Sequence, residues 1–124
     1  MFKTKGTTML VTRGDHGYLD IDSDDNGKPY LFVKGDVIRF NLMKKDKCDN
    51  IIFQKDITVT EDTEIVTMEF TQEDTRRCPV VSKPTEYWYE IKLNPDTKQQ
   101  TILGYDDEEG AKEFMLYPEG HKGE

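Results

Sequence analysis

Ile38-Arg39-Phe40-Asn41-Leu42, Val66-Thr67-Met68-Glu69-Phe70 and Tyr87-Trp88-Tyr89-Glu90-Ile91-Lys92-Leu93 each place apolar side chains at every second position, and Ile51 to Val59 carries the same rhythm between them. A period of two is that of a β-strand, whose successive side chains leave opposite faces; a helix would repeat at about 3.6 residues. Each run therefore has one face fit for a core and one fit for water. Turns or polar breaks separate the runs, so Asp36 to Leu93 reads as antiparallel strands. A chain that spends its pattern on stacking sheets leaves few residues for chemistry.

Toward the N-terminus the rhythm extends to a first strand at Thr8 to Arg13 and another at Tyr18 to Asp22, with Leu19 and Ile21 facing inward. Asn26-Gly27 accepts the positive backbone dihedrals of a tight hairpin, and Pro29 to Phe32 continues as a short strand. Lys34-Gly35-Asp36 turns into a long strand from Val37 to Lys45, and the charged stretch Lys44 to Asn50 reads as a long loop. Past Phe70, Thr71-Gln72-Glu73-Asp74 fits a capped helical turn, because a threonine oxygen can accept from the amides that follow it. Pro79 and Pro84 exclude regular helix or central strand through residues 76–84, so that connection crosses an edge or end. Asn94-Pro95-Asp96-Thr97 joins Tyr87–Leu93 to a strand at Gln99 to Tyr105, and Phe114 to Tyr117 closes the set. The count is about eight or nine short strands with almost no helix, an all-β sandwich or barrel. No linker or repeat divides the chain, so residues 1–124 are expected to form one domain, with its core at about 6–118 and a polar tail at 119–124.

A chain of 124 residues with 6 Tyr, 6 Phe and 1 Trp can fill one small core despite its 34% charged residues. Its 25 acidic residues against 17 basic ones leave a net charge of -8, which repels phosphate backbones and argues against nucleic acid as a partner. No run approaches the roughly 20 apolar residues of a membrane span, and Met1-Phe2-Lys3-Thr4-Lys5 lacks the apolar segment of a secretory signal. The expectation is a cytosolic protein, or one that leaves the cytosol by another route. Cys48 and Cys78 stand far apart with only His16 and His121 as further soft ligands, which is no zinc spacing. Two unpaired thiols in a reducing compartment is the plain reading, with a disulfide between them left open.

The polar residues do not converge on a catalytic set, and no enzyme, metal or cofactor is expected. Asp22-Ser23-Asp24-Asp25-Asn26-Gly27 imitates the first half of a calcium loop, but Val33 stands where the bidentate glutamate belongs, so a solvated hairpin tip is the simpler reading. His16, beside Asp15, has no serine or cysteine nucleophile in a diagnostic context. Arg13-Gly14-Asp15 spells an integrin-binding tripeptide, which turn chemistry and chance explain. The acidic loop Asp106-Asp107-Glu108-Glu109 is a weak interface candidate, since such charge runs usually just face water. Alternation puts Tyr87 and Tyr89 with Ile91 and Leu93, leaving Trp88 on the face of Glu90 and Lys92. There Trp88 is either covered by an end loop such as 76–84, or exposed as an anchor for a neighbouring subunit or a stacking platform for sugar.

The order of several pieces carries a resemblance. Thr12 to Asp15 is followed by Asp25-Asn26-Gly27-Lys28-Pro29-Tyr30 and Lys34-Gly35-Asp36-Val37-Ile38-Arg39-Phe40, then Ile52-Phe53-Gln54-Lys55 and Asp74-Thr75. Tyr87 to Leu93, Thr101-Ile102-Leu103-Gly104 and Phe114-Met115-Leu116 complete the series. From about Thr8 to Pro118 the chain resembles the N-terminal immunoglobulin-like domain of the baseplate upper protein family of bacteriophages and prophages of Gram-positive bacteria. The resemblance implies an immunoglobulin-like antiparallel β-sandwich and a non-enzymatic tail or baseplate component that docks onto other tail proteins or onto further copies of itself as a homo-oligomer. It implies residence in the virion, or in the bacterial cytoplasm before assembly, and supplies no catalytic residues. The family's receptor-binding part lies in a C-terminal extension that this sequence does not carry, so an adaptor, a stand-alone structural protein and one domain of a longer protein all stay open. The alternative from another class is a carbohydrate-binding module using Trp88 and nearby tyrosines.

Overall fold

The computed structural model describes residues 1–120, and strand makes up 55% of it with one short helix. In chain order, β1 (Phe2–Lys5) and β2 (Thr8–Thr12) are followed by β3 (Gly17–Ile21), then by the two-residue strands β4 (Asp24–Asp25) and β5 (Lys28–Pro29). The long pair β6 (Val37–Lys44) and β7 (Lys47–Thr58) leads to β8 (Val66–Phe70) and the helix α1 (Gln72–Arg76). β9 (Thr85–Leu93), β10 (Gln100–Leu103) and β11 (Lys112–Tyr117) complete the described elements.

The large sheet has seven strands in the order β1-β2-β11-β9-β6-β7, with β10 also on β9. β11 takes the first half of β9 (Lys112 opposite Tyr89, Leu116 opposite Thr85) and β10 the second half (Gln100 opposite Leu93). β3 and β8 form a separate antiparallel ribbon. The ribbon lies against the large sheet, because Leu19, Ile21, Val66, Met68 and Phe70 share one core cluster with Met9, Phe40, Ile91 and Leu116. Phe40 sits at the centre, fully buried, with the rings of Phe70, Tyr89, Phe53 and Phe114 at 5.1, 5.5, 6.2 and 6.3 Å. Inward-facing Leu19, Ile21, Tyr89, Ile91 and Leu93 are buried as alternation requires.

Several expectations need correction. The sheet is not wholly antiparallel: β11 runs parallel to β2, with Phe114 opposite Met9 and Tyr117 opposite Thr12. The main sheet is therefore mixed. Period-two patterning is identical in parallel and antiparallel strands, so this pairing was outside the reach of the pattern. Lys44 to Asn50 is no long loop; β6 and β7 run on to a tight turn at Lys45 and Asp46, where Asp46 takes a φ of 65°. Its charged side chains point to water at the sheet's end, and aspartate tolerates the left-handed region. Pro29 to Phe32 is not one strand: β5 stops at Pro29, and Phe32 makes a lone bridge to Thr63. Strand pairing also begins before residue 6, at Phe2. Part of the polar tail, including His121, lies outside the described residues.

The helical turn forms as its sequence requires: the Thr71 hydroxyl accepts from the Asp74 amide at 3.1 Å, and the Asp74 carboxylate accepts from the Thr71 amide at 2.9 Å. The Lys55 ammonium also pairs with Asp74. Burial alone would raise the Asp74 pKa, but Lys55 and Thr71 outweigh it and hold the carboxyl low. The clasp that follows had no sequence signal. Arg13 donates to the carbonyls of Cys78 (3.0 Å) and Arg76 (2.8 Å) and to Glu119 (3.0 Å), while Arg76 grips Glu119 at 2.7 Å. Gly14, at φ +89°, passes so close that a Cβ there would lie 2.7 Å from the Glu119 carboxylate.

Candidate functional site

Cross-strand register assembles the outer face of the large sheet from side chains far apart in sequence. Directly paired residues point the same way, so Arg39, Asn41 and Met43 of β6 stand beside Lys92, Glu90 and Trp88 of β9 and beside Asp56, Gln54 and Ile51 of β7. The rows are graded. Arg39 forms a two-pronged ion pair with Asp56 at 2.8 and 2.9 Å, with Asp96 at 3.3 Å. In the next row Gln54 donates to the Asn41 carbonyl oxygen at 2.8 Å, and the Asn41 amide donates to Glu90 at 2.9 Å. Lys92 closes this ladder, 3.5 Å from Glu90 and donating to the Thr101 hydroxyl at 2.9 Å. The third row is apolar: Ile51, Met43 and Trp88.

Trp88 is partly buried. Tyr105 covers it, the ring lying 6.0 Å away at 51° and itself 68% exposed. The indole N–H donates to Glu86 at 3.2 Å, and Lys45 approaches the same carboxylate at 3.5 Å. Met43 is buried, whereas Ile51 is 40% exposed. The result is an apolar strip across the sheet, one end of it an exposed tyrosine.

Tyr105 links this strip to the acidic loop, whose members do different things. Asp106 accepts from the amides of Glu108 (2.9 Å) and Glu109 (2.6 Å) and from the Lys112 ammonium (2.5 Å). The Glu109 amide first, and Lys112 with it, pull the Asp106 carboxyl down to about 2. Lys112 is 2% exposed, because it occupies the inward position of β11 ahead of Phe114 and Leu116. That burial was missed, although alternation back from Phe114 contains the signal. Glu109 lies 3.8 Å from Lys112, while Asp107 and Glu108 are exposed. Asp106 is thus a turn-forming group, and the part of the loop left for a partner is Asp107 and Glu108.

The other sequence candidates are engaged within the fold. Arg13 belongs to the Glu119 clasp, Asp15 pairs with the N-terminal ammonium, and His16 contacts Glu69 at 2.8 Å. Asp24 accepts from the Gly27 amide at 3.2 Å, an ordinary hairpin-tip bond. Among the described residues no three His, Cys, Asp or Glu side chains are placed to share a metal ion. Cys48 is exposed and Cys78 buried, neither in a disulfide, and burial pushes the Cys78 thiol up to about 11. Comparisons with protein-family models, curated proteins and solved structures returned no match to this chain.

Proposed function

We propose that this chain is a non-enzymatic structural module of a phage or prophage tail or baseplate, working through protein–protein contacts on an immunoglobulin-like sandwich. The observation that carries the contact role is the strip of Ile51, Met43 and Trp88 continued by Tyr105 on the outer face of the seven-stranded sheet. A partly buried tryptophan beside an exposed tyrosine is the type of side chain that anchors an interface, since each removes much apolar area from water at little entropic cost. The tail assignment draws on the ordered sequence pieces from Thr12 to Leu116. Partners would be other tail proteins or further copies of the chain under ring symmetry. Light scattering on a sizing column, with electron microscopy of induced particles labelled for this protein, tests the reading. A strict monomer absent from every particle sinks it.

A second reading is favoured by a different detail of the same face. One row from Trp88 stands the Gln54, Asn41 and Glu90 ladder, and an aromatic ring flanked by amides and a carboxylate suits a sugar. Glycan-array binding abolished by Trp88→Ala supports this carbohydrate-binding role; a blank array disposes of it.

A further inference from the structure

The ribbon of β3 and β8 covers the large sheet incompletely, and on the β3 side the gap remains open. A cavity of about 260 Å³ there is lined by Leu19, Asp20, Ile21 and Asp22, with Tyr89 and Ile91 among the residues of the large sheet. Consecutive residues of a strand point to opposite faces, so a run of four bordering one cavity presents its backbone edge to it. β8 pairs along the other edge of β3, and no strand among the described residues pairs along this one. A second depression of about 660 Å³ shares Asp22 and Ile102 with the first and adds Asp24, Pro29, Glu64 and Ile65. Ile65 is 54% exposed there. At the far end, the Phe2 ring closes the groove over Gly17, where a Cβ would come within 2.1 Å of it.

We infer that this groove binds an extended segment of a partner protein, in which apolar residues alternate with lysine or arginine, as a third strand on the free edge of β3. An unpaired strand edge offers amides and carbonyls in register for an added strand. Alternate side chains of that strand would turn toward Ile91 and Ile102, and the others toward the rim. The rim is acidic: Asp22, Asp24 and Glu64 carry no ion pair among the described residues, on a chain of net charge -8, while the Asp20 carboxylate turns to β8 and accepts from the Thr67 hydroxyl at 2.6 Å. Charge complementarity therefore selects a basic segment and disfavours an acidic one. The groove opens on the inner side of the sheet, away from Trp88, and the inference goes beyond the tail-assembly reading and stands without it.

The test is fluorescence polarisation of the whole chain with a labelled peptide of about eight residues alternating lysine and valine, followed by amide hydrogen exchange on the complex. Saturable binding is expected, with slowed exchange at Leu19 to Ile21, and Asp22→Lys should weaken it about tenfold. The same peptide with its valines replaced by proline, which cannot donate to the edge, should not bind. Absence of saturable binding, equal binding of the proline peptide, unchanged exchange in β3, or indifference to Asp22→Lys each overturns the inference. Peptide binding and particle association are separate measurements, so either proposal can fail alone.

Discussion

Lys112 occupies a core-facing position yet carries a charge, and its ammonium is accommodated because it ends on Asp106. Only Lys112 is buried, and taking away its half-exposed carboxylate leaves a buried ammonium short of its nearest partner, which costs more than removing the charge itself. Asp106→Ala is therefore expected to lower the melting temperature clearly more than Lys112→Met. Asp106 titrates near 2 in the fold against about 3.9 in an unfolded chain, so its contribution is complete above that unfolded value and is lost as pH falls toward 2. Thermal melts between these limits should show less acid sensitivity in Asp106→Ala than in the parent chain. The two thiols separate just as cleanly. Cys48 is exposed and Cys78 is 4% exposed with its thiol raised to about 11, so a thiol reagent should modify one cysteine quickly and the second only on unfolding. At the centre of the core, Phe40→Ala should cost about 3–5 kcal/mol by denaturant titration, because four rings would face the void.

At the scale of elements, local chemistry was legible wherever a few neighbouring residues decide the outcome. The capping box of α1 is such a case: Thr71→Ala should destabilise the chain by about 1 kcal/mol, since one bond of the reciprocal pair disappears. The inward faces of β3 and β9 were equally readable from alternation. Elements decided by distant contacts were not. Gly17 falls between the strands expected at Thr8 to Arg13 and Tyr18 to Asp22, yet it opens β3 and leaves room for the Phe2 ring of β1. Trp88 could be assigned to the outer face of β9, but its cover comes from Tyr105, beyond a whole hairpin. The acidic loop likewise looked uniform in sequence, and the amides of Glu108 and Glu109 together with Lys112 distinguish Asp106 from Asp107 and Glu108.

For the molecule as a whole, stability should follow position in the sheet. β6 and β9 each have neighbours on both edges, whereas β4 and β5 pair only with each other. Hydrogen exchange is therefore expected to be slowest in β6 and β9 and fastest in the β4–β5 hairpin and the loop 104–110. Uniform protection would contradict this arrangement. The chain by itself determined that it folds into strands, which sides of β3 and β9 face the core, that Asn26-Gly27 closes a tight hairpin and how acidic the surface is. These follow from side-chain period, backbone preference and charge, all of which act over a few residues. Tertiary structure alone decided that β11 runs parallel to β2, that Arg13, Arg76 and Glu119 meet in one clasp, and that the free edge of β3 borders an open groove. Such features arise when segments distant in sequence pack together, and no local pattern encodes which segment will arrive.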